Sequence, residues 1–203
     1  FQVWQEIFAK YEIECDRDFY QEHVSGNTNE RLIANILPQL SPAETQELAL
    51  FKEAEYRARA KTLQPTPGLE RIIELIDRLN LKRAAVTNAP RENAFHMLEA
   101  LNLIETFPIV VLASDAPPGK PNPDPYLLGL SKVATEAKDA IAFEDSPTGI
   151  QAAVAAGIYT IAIASTHDPE LLASFGANLV IPDFNSPKLW QLLAQRLEIP
   201  TLA

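Results

Sequence analysis

Short apolar runs and helical patterns alternate along the chain from residue 69 onward, and this alternation limits the possible folds more than any other feature. The runs at residues 84–86, 109–112 and 161–163 are apolar throughout, as expected for strands that are buried on both faces. Strands that alternate with helices in this way form parallel sheets with right-handed crossovers. The sequence therefore predicts an α/β fold with a Rossmann-like parallel sheet. The predicted helices lie near 69–80, 91–101, 123–133, 147–156, 169–175 and 186–196, and the predicted strands near 82–87, 109–112, 140–144, 159–164 and 179–181.

The first 63 residues carry helical patterns only. Aromatic residues recur at helical spacing from Phe1 to Tyr11, and Ser41-Pro-Ala-Glu44 is a capping box that predicts a long helix from Ser41 to about Leu63. The stretch Gln64-Pro-Thr-Pro-Gly68 disfavours helix continuation and predicts a hinge. We therefore expect a small all-helical domain over residues 1–64 and an α/β core domain over residues 65–203.

Composition excludes several classes of partner. The chain has 27 acidic and 17 basic residues and a formal net charge of −10, which argues against nucleic acid, because phosphate-backbone binding needs clustered Lys and Arg. Its single cysteine, Cys15, cannot form an internal disulfide, and no apolar run reaches the length needed to cross a bilayer. A cytoplasmic protein without nucleic-acid or membrane partners is predicted.

Two adjacent carboxylates, Glu144 and Asp145, follow the apolar run near 140–144 and precede a helix that starts at Pro147. In open α/β sheets, ligands bind beyond the carboxyl ends of the strands. Neighbouring acids repel each other unless a positive charge lies beside them, so a Mg²⁺ site is the favoured interpretation. The alternative is a solvated acidic turn.

Thr87 and Asn88 end the first predicted strand of the core. Their side chains and the backbone N–H groups that follow are suited to bind a phosphate in the same crevice. A turn that caps the helix starting near Arg91 explains the local sequence equally well.

Lys120 lies in the loop Ala116-Pro-Pro-Gly-Lys-Pro-Asn-Pro-Asp124, which contains four prolines. A stiff loop can hold one ammonium group in a fixed place, which suits catalysis. The loop is not a Walker A motif, because the glycine spacing and the following Ser or Thr are absent. The alternative is a solvated surface lysine.

Together, these three elements resemble the haloacid dehalogenase superfamily of phosphotransferases. In that superfamily a Thr or Ser at a strand end, a Lys in a later loop and an acidic pair after a further strand surround an aspartyl-phosphate. The stretches Gly119-Lys-Pro-Asn-Pro-Asp124 and Glu144-Asp-Ser-Pro-Thr-Gly149 are most similar to the branch of phosphoglycolate phosphatase-like and β-phosphoglucomutase-like enzymes. That branch carries a helical cap after its first strand, where residues 1–64 would lie.

The resemblance implies a Mg²⁺-dependent phosphatase that hydrolyses a small phosphorylated metabolite, of the sugar phosphate or phosphoglycolate type. Asp145 is then expected to bind the metal directly, and Glu144 to bind it directly or through water. Thr87 and Lys120 would hold the transferring phosphate and offset its charge. Asn88 would contact phosphate or substrate. We expect the protein to be a monomer or a weak homodimer.

Two alternatives to a phosphatase remain open. One is a β-phosphoglucomutase-like isomerase, although the segment Arg57-Ala58-Arg59 lacks the lysine that mutases of this branch tend to carry near Tyr56. The other is a catalytically silent binding protein with the same fold.

The chain departs from the family pattern at one point, the nucleophile. In the family, this residue lies in an Asp-x-Asp motif on the first strand. Asp16-Arg-Asp18 has this spacing but follows no apolar run and begins a helical pattern. We therefore expect the nucleophile strand within roughly two dozen residues upstream of Phe1, as connection rules place it just before the cap. Without that strand the sheet has a central gap.

The cap is expected to select the substrate. The stretch Ser25-Gly-Asn-Thr-Asn-Glu-Arg31 matches the place of a specificity loop in relatives, which makes Asn27 the first candidate for substrate binding and Arg31 the second. The alternative is that Asn27 or Thr28 simply caps the following helix.

Overall fold

The computed structural model describes residues 1–24, 27–59 and 63–198 of the 203-residue chain. Two compact units are present. The helical unit comprises Phe1–Leu63 and Glu92–Ala100, and the sheet unit comprises Gln64–Arg91 and the residues from Leu101 on. The helical unit thus includes a segment of chain beyond residue 64, whereas the domain boundary expected from sequence was a single position.

Four helices and part of a fifth build the helical unit: α1 (Gln2–Ala9), α2 (Arg17–Phe19), α3 (Asn29–Ile36), α4 (Pro42–Arg59) and α6 (Arg91–Ala100), with a π-helical turn at Tyr20–Val24. Their apolar faces bury Trp4, Phe8 and Ile33, and the Trp4 ring stacks on Phe8 with 5.1 Å between centroids. The helical pattern predicted for this part of the chain is confirmed.

Capping explains where these helices begin. The predicted capping box is present, because the Ser41 backbone N–H and hydroxyl both donate to Glu44 Oε2 and the Glu44 N–H donates to Ser41 Oγ. The predicted end of this helix near Leu63 falls beside residues 60–62, which lie outside the described residues. Asp16 Oδ1 accepts the Phe19 N–H and caps α2, so Asp16 starts a helix and does not end a strand.

Parallel strands and alternating helices build the sheet unit, as the sequence predicts. The helices are α5 (Leu69–Arg78), α7 (Asp124–Val133), α8 (Pro147–Ala155), α9 (Pro169–Ser174) and α10 (Pro187–Arg196), and two 3₁₀ turns lie at Ala113–Asp115 and Ala137–Asp139. The strands are β1 (Ala85–Thr87), β2 (Val110–Leu112), β3 (Ile141–Glu144), β4 (Tyr159–Ile163) and β5 (Leu179–Ile181).

The strands form two separate parallel sheets. One pairs β1 with β2, with Val86 opposite Val111, and the other has the order β3-β4-β5, with Phe143 opposite Ile161. Within the described ranges, no strand pairing joins the two sheets. This division agrees with the central gap that the sequence analysis expects.

The first strand of the sheet unit is clearly shorter than predicted. The strand expected to start near residue 82 begins at Ala85, and the preceding Arg83 makes side-chain contacts. Its guanidinium donates to the Thr106 carbonyl and to Asp77 Oδ1, the latter over 2.6 Å.

The core of the sheet unit lies on both faces of the β3-β4-β5 sheet. Ile161, Ile181 and Leu189 are fully buried on one side, and Ile150 and Leu172 on the other. Burial on both faces accounts for the continuous apolar runs of these strands. Among the helices that the structure describes, none combines the length and the apolarity that a membrane span requires.

Candidate active site

The carboxyl ends of β1 and β3 place most of the predicted site residues in one part of the sheet unit. Thr87 is the last residue of β1, Glu144 is the last residue of β3, and Asp145 follows it. The Lys120 ammonium links these strand ends, because it donates to the Val86 carbonyl of β1 over 3.1 Å and to Glu144 Oε1 over 2.6 Å. The structure therefore brings together residues that are far apart in sequence.

The loop that carries Lys120 is tied to the end of β1 by Asn88. The Asn88 side chain accepts the Lys120 backbone N–H over 3.0 Å and donates to the Lys120 carbonyl over 2.9 Å. Gly119 adopts a φ of +82°, and a Cβ atom there would lie 3.1 Å from Asn88 Oδ1, so the loop requires glycine at this point. Asn88, predicted from sequence to contact phosphate or substrate, thus has a structural partner in the Lys120 backbone.

Thr87 is oriented by a local hydrogen bond. Its hydroxyl oxygen accepts the Ala89 backbone N–H over 3.0 Å. This bond uses a lone pair of the hydroxyl, so the hydroxyl proton is available to donate to a ligand. The predicted turn and the predicted phosphate contact are therefore compatible at this residue.

Glu144 is buried, with 6% of its surface exposed, and protein donors occupy both of its oxygens. Oε1 accepts from Lys120 and, over 2.6 Å, from the Tyr126 hydroxyl, while Oε2 accepts from the Ser146 hydroxyl over 3.3 Å. Ser146 also accepts the Gly149 N–H and so caps α8. The carboxylate is the centre of a hydrogen-bond network.

Tyr126 is a member of this network that the sequence analysis missed. Burial, followed by the nearby Glu144 charge, raises the pKa of Tyr126 well above its ordinary value, so the hydroxyl remains a donor. The only sequence signal was a tyrosine on the helix that follows the Lys120 loop, a position that normally indicates core packing.

Asp145 remains accessible to solvent, while protein atoms crowd its carboxyl group. This crowding removes water and raises the pKa of Asp145, the nearby Glu144 charge raises it further, and Lys120 acts in the opposite direction. A cation beside Asp145 would relieve both unfavourable effects.

The residues of this site are suited to a Mg²⁺ ion that is bound by only a few protein ligands. In the described residues, no group of three or more His, Cys, Asp or Glu side chains converges on one point. Mg²⁺ is commonly bound by one or two carboxylates, with water and substrate phosphate oxygens completing its coordination. Asp145 meets this requirement as an accessible carboxylate, whereas Glu144 already has protein donors on both oxygens.

Asn27 and Arg31 lie in the helical unit and are both exposed. The Asn27 side chain donates to the His23 carbonyl over 2.9 Å, and Thr28 caps α3 by accepting the Arg31 N–H. The capping alternative is thus confirmed for Thr28. Ser25 and Gly26 of the predicted specificity loop lie outside the described residues, and substrate binding by Asn27 and Arg31 stays a prediction.

Known proteins similar to this chain have the same fold. The family model of haloacid dehalogenase-like hydrolases matches residues 1–163. The crystal structure of a haloacid dehalogenase hydrolase, family IA, variant 3, from Entamoeba histolytica superposes with a TM-score of 0.80 at 29% identity, covering 90% of this chain and 85% of that chain. The predicted α/β core with a helical cap is confirmed by this similarity.

Two curated relatives have names that describe phosphoryl chemistry. Validoxylamine A 7'-phosphate phosphatase of Streptomyces hygroscopicus subsp. limoneus is 28% identical over 90% of this chain and 84% of its own length. Beta-phosphoglucomutase of Bacillus subtilis is 28% identical over 89% of this chain and 80% of its own length. These findings confirm the predicted branch and the predicted class of enzyme, a phosphatase of the haloacid dehalogenase superfamily. The chain belongs to the haloacid dehalogenase-like hydrolases.

Proposed function

We propose that this protein is a Mg²⁺-dependent phosphatase that hydrolyses a small phosphorylated metabolite of the sugar phosphate or phosphoglycolate type. The observation that carries this proposal is that the Lys120 ammonium binds both Val86, the neighbour of Thr87 at the end of β1, and Glu144, the neighbour of Asp145 at the end of β3. The phosphatase of Streptomyces hygroscopicus subsp. limoneus to which the chain is similar supports the same chemistry.

Lys120 and Thr87 supply the positive charge and the donor that a transferring phosphate needs. The ammonium is nearly buried, with 9% of its side chain exposed, so water screens its charge only weakly. Groups that are held in place before the reaction stabilise developing charge without reorganising, which is a large contribution in many enzymes. In this proposal, Lys120 offsets the charge of the phosphoryl oxygens and the Thr87 hydroxyl donates to one of them.

Asp145 is the residue of this chain that would hold Mg²⁺. The ion, when bound, supplies a Lewis acid that neutralises phosphoryl oxygens. Glu144 contributes through its charge or through a bridging water, because its oxygens accept from Lys120, Tyr126 and Ser146.

The nucleophile is proposed to be an aspartate on a strand upstream of Phe1, as the family resemblance implies. Its carboxylate would attack phosphorus, form an aspartyl-phosphate and release the alcohol, and water would then hydrolyse the acyl phosphate. Asn27 and Arg31 in the helical unit are proposed to select the rest of the substrate.

Release of inorganic phosphate from a panel of sugar phosphates and phosphoglycolate, with Mg²⁺ or with EDTA, tests the proposal in the full-length protein. We expect Mg²⁺-dependent turnover that Lys120→Ala reduces on the order of 10²-fold or more. Lys188→Ala, which removes an exposed lysine of α10, is the matched control and should leave turnover unchanged. Equal rates for the two variants would show that Lys120 has no catalytic role.

The Bacillus subtilis relative favours a mutase as the second candidate function. A mutase moves phosphate between two positions of one sugar, so it shows exchange without net phosphate release. Incubation with β-glucose 1-phosphate, followed by ³¹P NMR, separates the two activities. Phosphate release supports the phosphatase, and accumulation of the 6-phosphate supports the mutase.

A further inference from the structure

Tyr126 lies near the start of α7, and its side chain is buried beside the Lys120–Glu144 pair. Its hydroxyl and the Lys120 ammonium each donate to Glu144 Oε1 over 2.6 Å. The ammonium also lies 5.8 Å from the centre of the Tyr126 ring, within the range of a cation–π interaction. One carboxylate oxygen is therefore shared by the lysine and the tyrosine.

The same carboxylate packs directly against Gly149 of α8. A Cβ atom at position 149 would lie 1.9 Å from Glu144 Oε2 and 2.1 Å from Cδ, so only glycine fits there without moving the carboxylate. Two helices thus restrict Glu144, because α7 supplies a donor and α8 supplies a close surface. In the observed position of the carboxylate, both Tyr126 and Lys120 reach Oε1.

Lys120 depends on this carboxylate for its orientation. Within the described part of the chain, Glu144 is the only acidic group in ion-pair contact with the ammonium, and the other acceptor is the neutral Val86 carbonyl. A lysine ammonium stands on a flexible four-carbon stem, so its position follows that of its strongest acceptor.

We propose that Tyr126 is a positioning residue of the active site: by holding Glu144 Oε1, its hydroxyl determines where the Lys120 ammonium stands. This inference rests on the proposed function, in which Lys120 contacts the transferring phosphate. Without the hydroxyl, the carboxylate can turn about its last bond and the ammonium moves with it. The loss then falls on kcat more than on KM, since a positioned charge matters most while charge is redistributed.

Tyr126→Phe removes the hydroxyl and keeps the ring, and Tyr159→Phe on β4 is the matched control. In the full-length protein we expect Tyr126→Phe to lower kcat for p-nitrophenyl phosphate on the order of tenfold, as observed when outer partners of catalytic groups are removed. KM should stay within about twofold, because the contact of Lys120 with the phosphate matters most in the transition state, while the other substrate contacts remain. Tyr159→Phe should match the wild type in both parameters.

The ¹⁵N NMR signal of the Lys120 ammonium gives a readout that does not require turnover. We expect this signal to lose order and to exchange faster with water in Tyr126→Phe but not in Tyr159→Phe. A purely structural role would lower the melting temperature without changing the signal, and that result would overturn the proposal. If the wild-type protein releases no phosphate while the signal still responds to Tyr126→Phe, the positioning role stands and the proposed function fails.

Two further variants test whether Tyr126 acts through Lys120. In a Lys120→Ala background, Tyr126→Phe should cause no additional loss of kcat, because the group that it positions is gone. Gly149→Ala keeps both donors but displaces the carboxylate, so it should reproduce the loss of ammonium order and of kcat. A tenfold loss on adding Tyr126→Phe to Lys120→Ala, or normal ammonium order in Gly149→Ala, would contradict the positioning role.

Discussion

At the scale of single residues, Lys120 is held at both ends. Asn88 binds its backbone N–H and carbonyl, and Glu144 and Val86 bind its ammonium. A long side chain loses conformational entropy when it binds a ligand, and these contacts make that loss smaller. Asp145 differs, because its carboxylate keeps access to solvent and has an unfavourable charge environment. The two residues are therefore expected to respond differently to substitution.

We predict that Asp145→Asn weakens Mg²⁺ activation and lowers turnover on the order of 10²-fold, while the melting temperature changes little. Asparagine keeps the size of the side chain but removes the charge that a hard cation requires. Titration of activity and of thermal stability with Mg²⁺ checks both parts. An unchanged Mg²⁺ requirement would remove Asp145 from the metal site.

At the scale of secondary-structure elements, one buried carboxylate joins three helices of the helical unit. Glu53 of α4 accepts hydrogen bonds from Asn29, the first residue of α3, from Asn93 of α6 and from Lys52. Arg57 in turn donates to Asn93 Oδ1 over 2.6 Å. Arg57 thus has a partner within its own unit. From sequence, Arg57 belongs to the segment considered to distinguish a phosphatase from a mutase.

We predict that Glu53→Gln lowers the free energy of unfolding by about 1–3 kcal/mol, because the new amide places its NH₂ group against the donor of either Asn29 or Asn93 and leaves the nearly buried Lys52 without its anion. Glu47→Gln on the same helix is exposed and serves as control. Urea unfolding of both variants measures the difference, and equal stabilities would show that the network contributes nothing.

Glu53 is also expected to make the stability of the protein depend on pH. Burial by itself would raise the pKa of Glu53, but the bonds from Asn29, Lys52 and Asn93 outweigh burial and the pKa lies below its ordinary value. The stabilisation is therefore complete above the unfolded-state pKa of about 4.3 and is lost as pH falls through the folded-state pKa. We expect the stability difference between wild type and Glu53→Gln to shrink over this acidic range. A difference that stayed constant down to the lowest pH would contradict the assignment.

At the scale of the whole molecule, the sheet unit contains two parallel sheets whose neighbouring strands are not paired with each other. β1 pairs only with β2, and β3 only with β4, in the part of the chain that the structure describes. Each therefore has one edge that no other strand covers, although the Val86 carbonyl of β1 accepts from Lys120. Such edges favour the addition of a further strand.

We predict that residues 1–203 produced alone bind phosphate weakly and hydrolyse no phosphate ester. In the proposed site, Thr87 and Lys120 would bind a phosphate and Asp145 would hold the metal ion, but the covalent route needs the aspartate of the Asp-x-Asp motif that the resemblance implies. A longer protein with an apolar strand ending in Asp-x-Asp should be active and should melt at a higher temperature. Comparable Mg²⁺-dependent rates for the two would show that a carboxylate within residues 1–203, such as Asp16 or Asp115, is the nucleophile.

Local sequence patterns by themselves determined the order and type of the elements. Continuous apolar runs indicate strands buried on both faces, and residues such as Ser41, Pro147 and Gly119 act on the backbone directly, so their effect does not depend on distant contacts. The positions of Thr87 and the acidic pair at strand ends, and of Lys120 in the loop after a strand, followed from the same patterns.

Only the tertiary structure decided which groups meet. Lys120 and Tyr126 are separated from Glu144 by 24 and 18 residues, and their convergence on one oxygen depends on how α7 packs against β1, β2 and α8. Likewise, Glu53 meets Asn93 across 40 residues. A buried carboxylate must find donors, because an unpaired buried charge is costly, but the sequence does not state which donors packing will bring to it. For this reason the place of the acidic pair at the end of a strand was predictable, whereas the contact of Tyr126 with Glu144 emerged only from the folded chain.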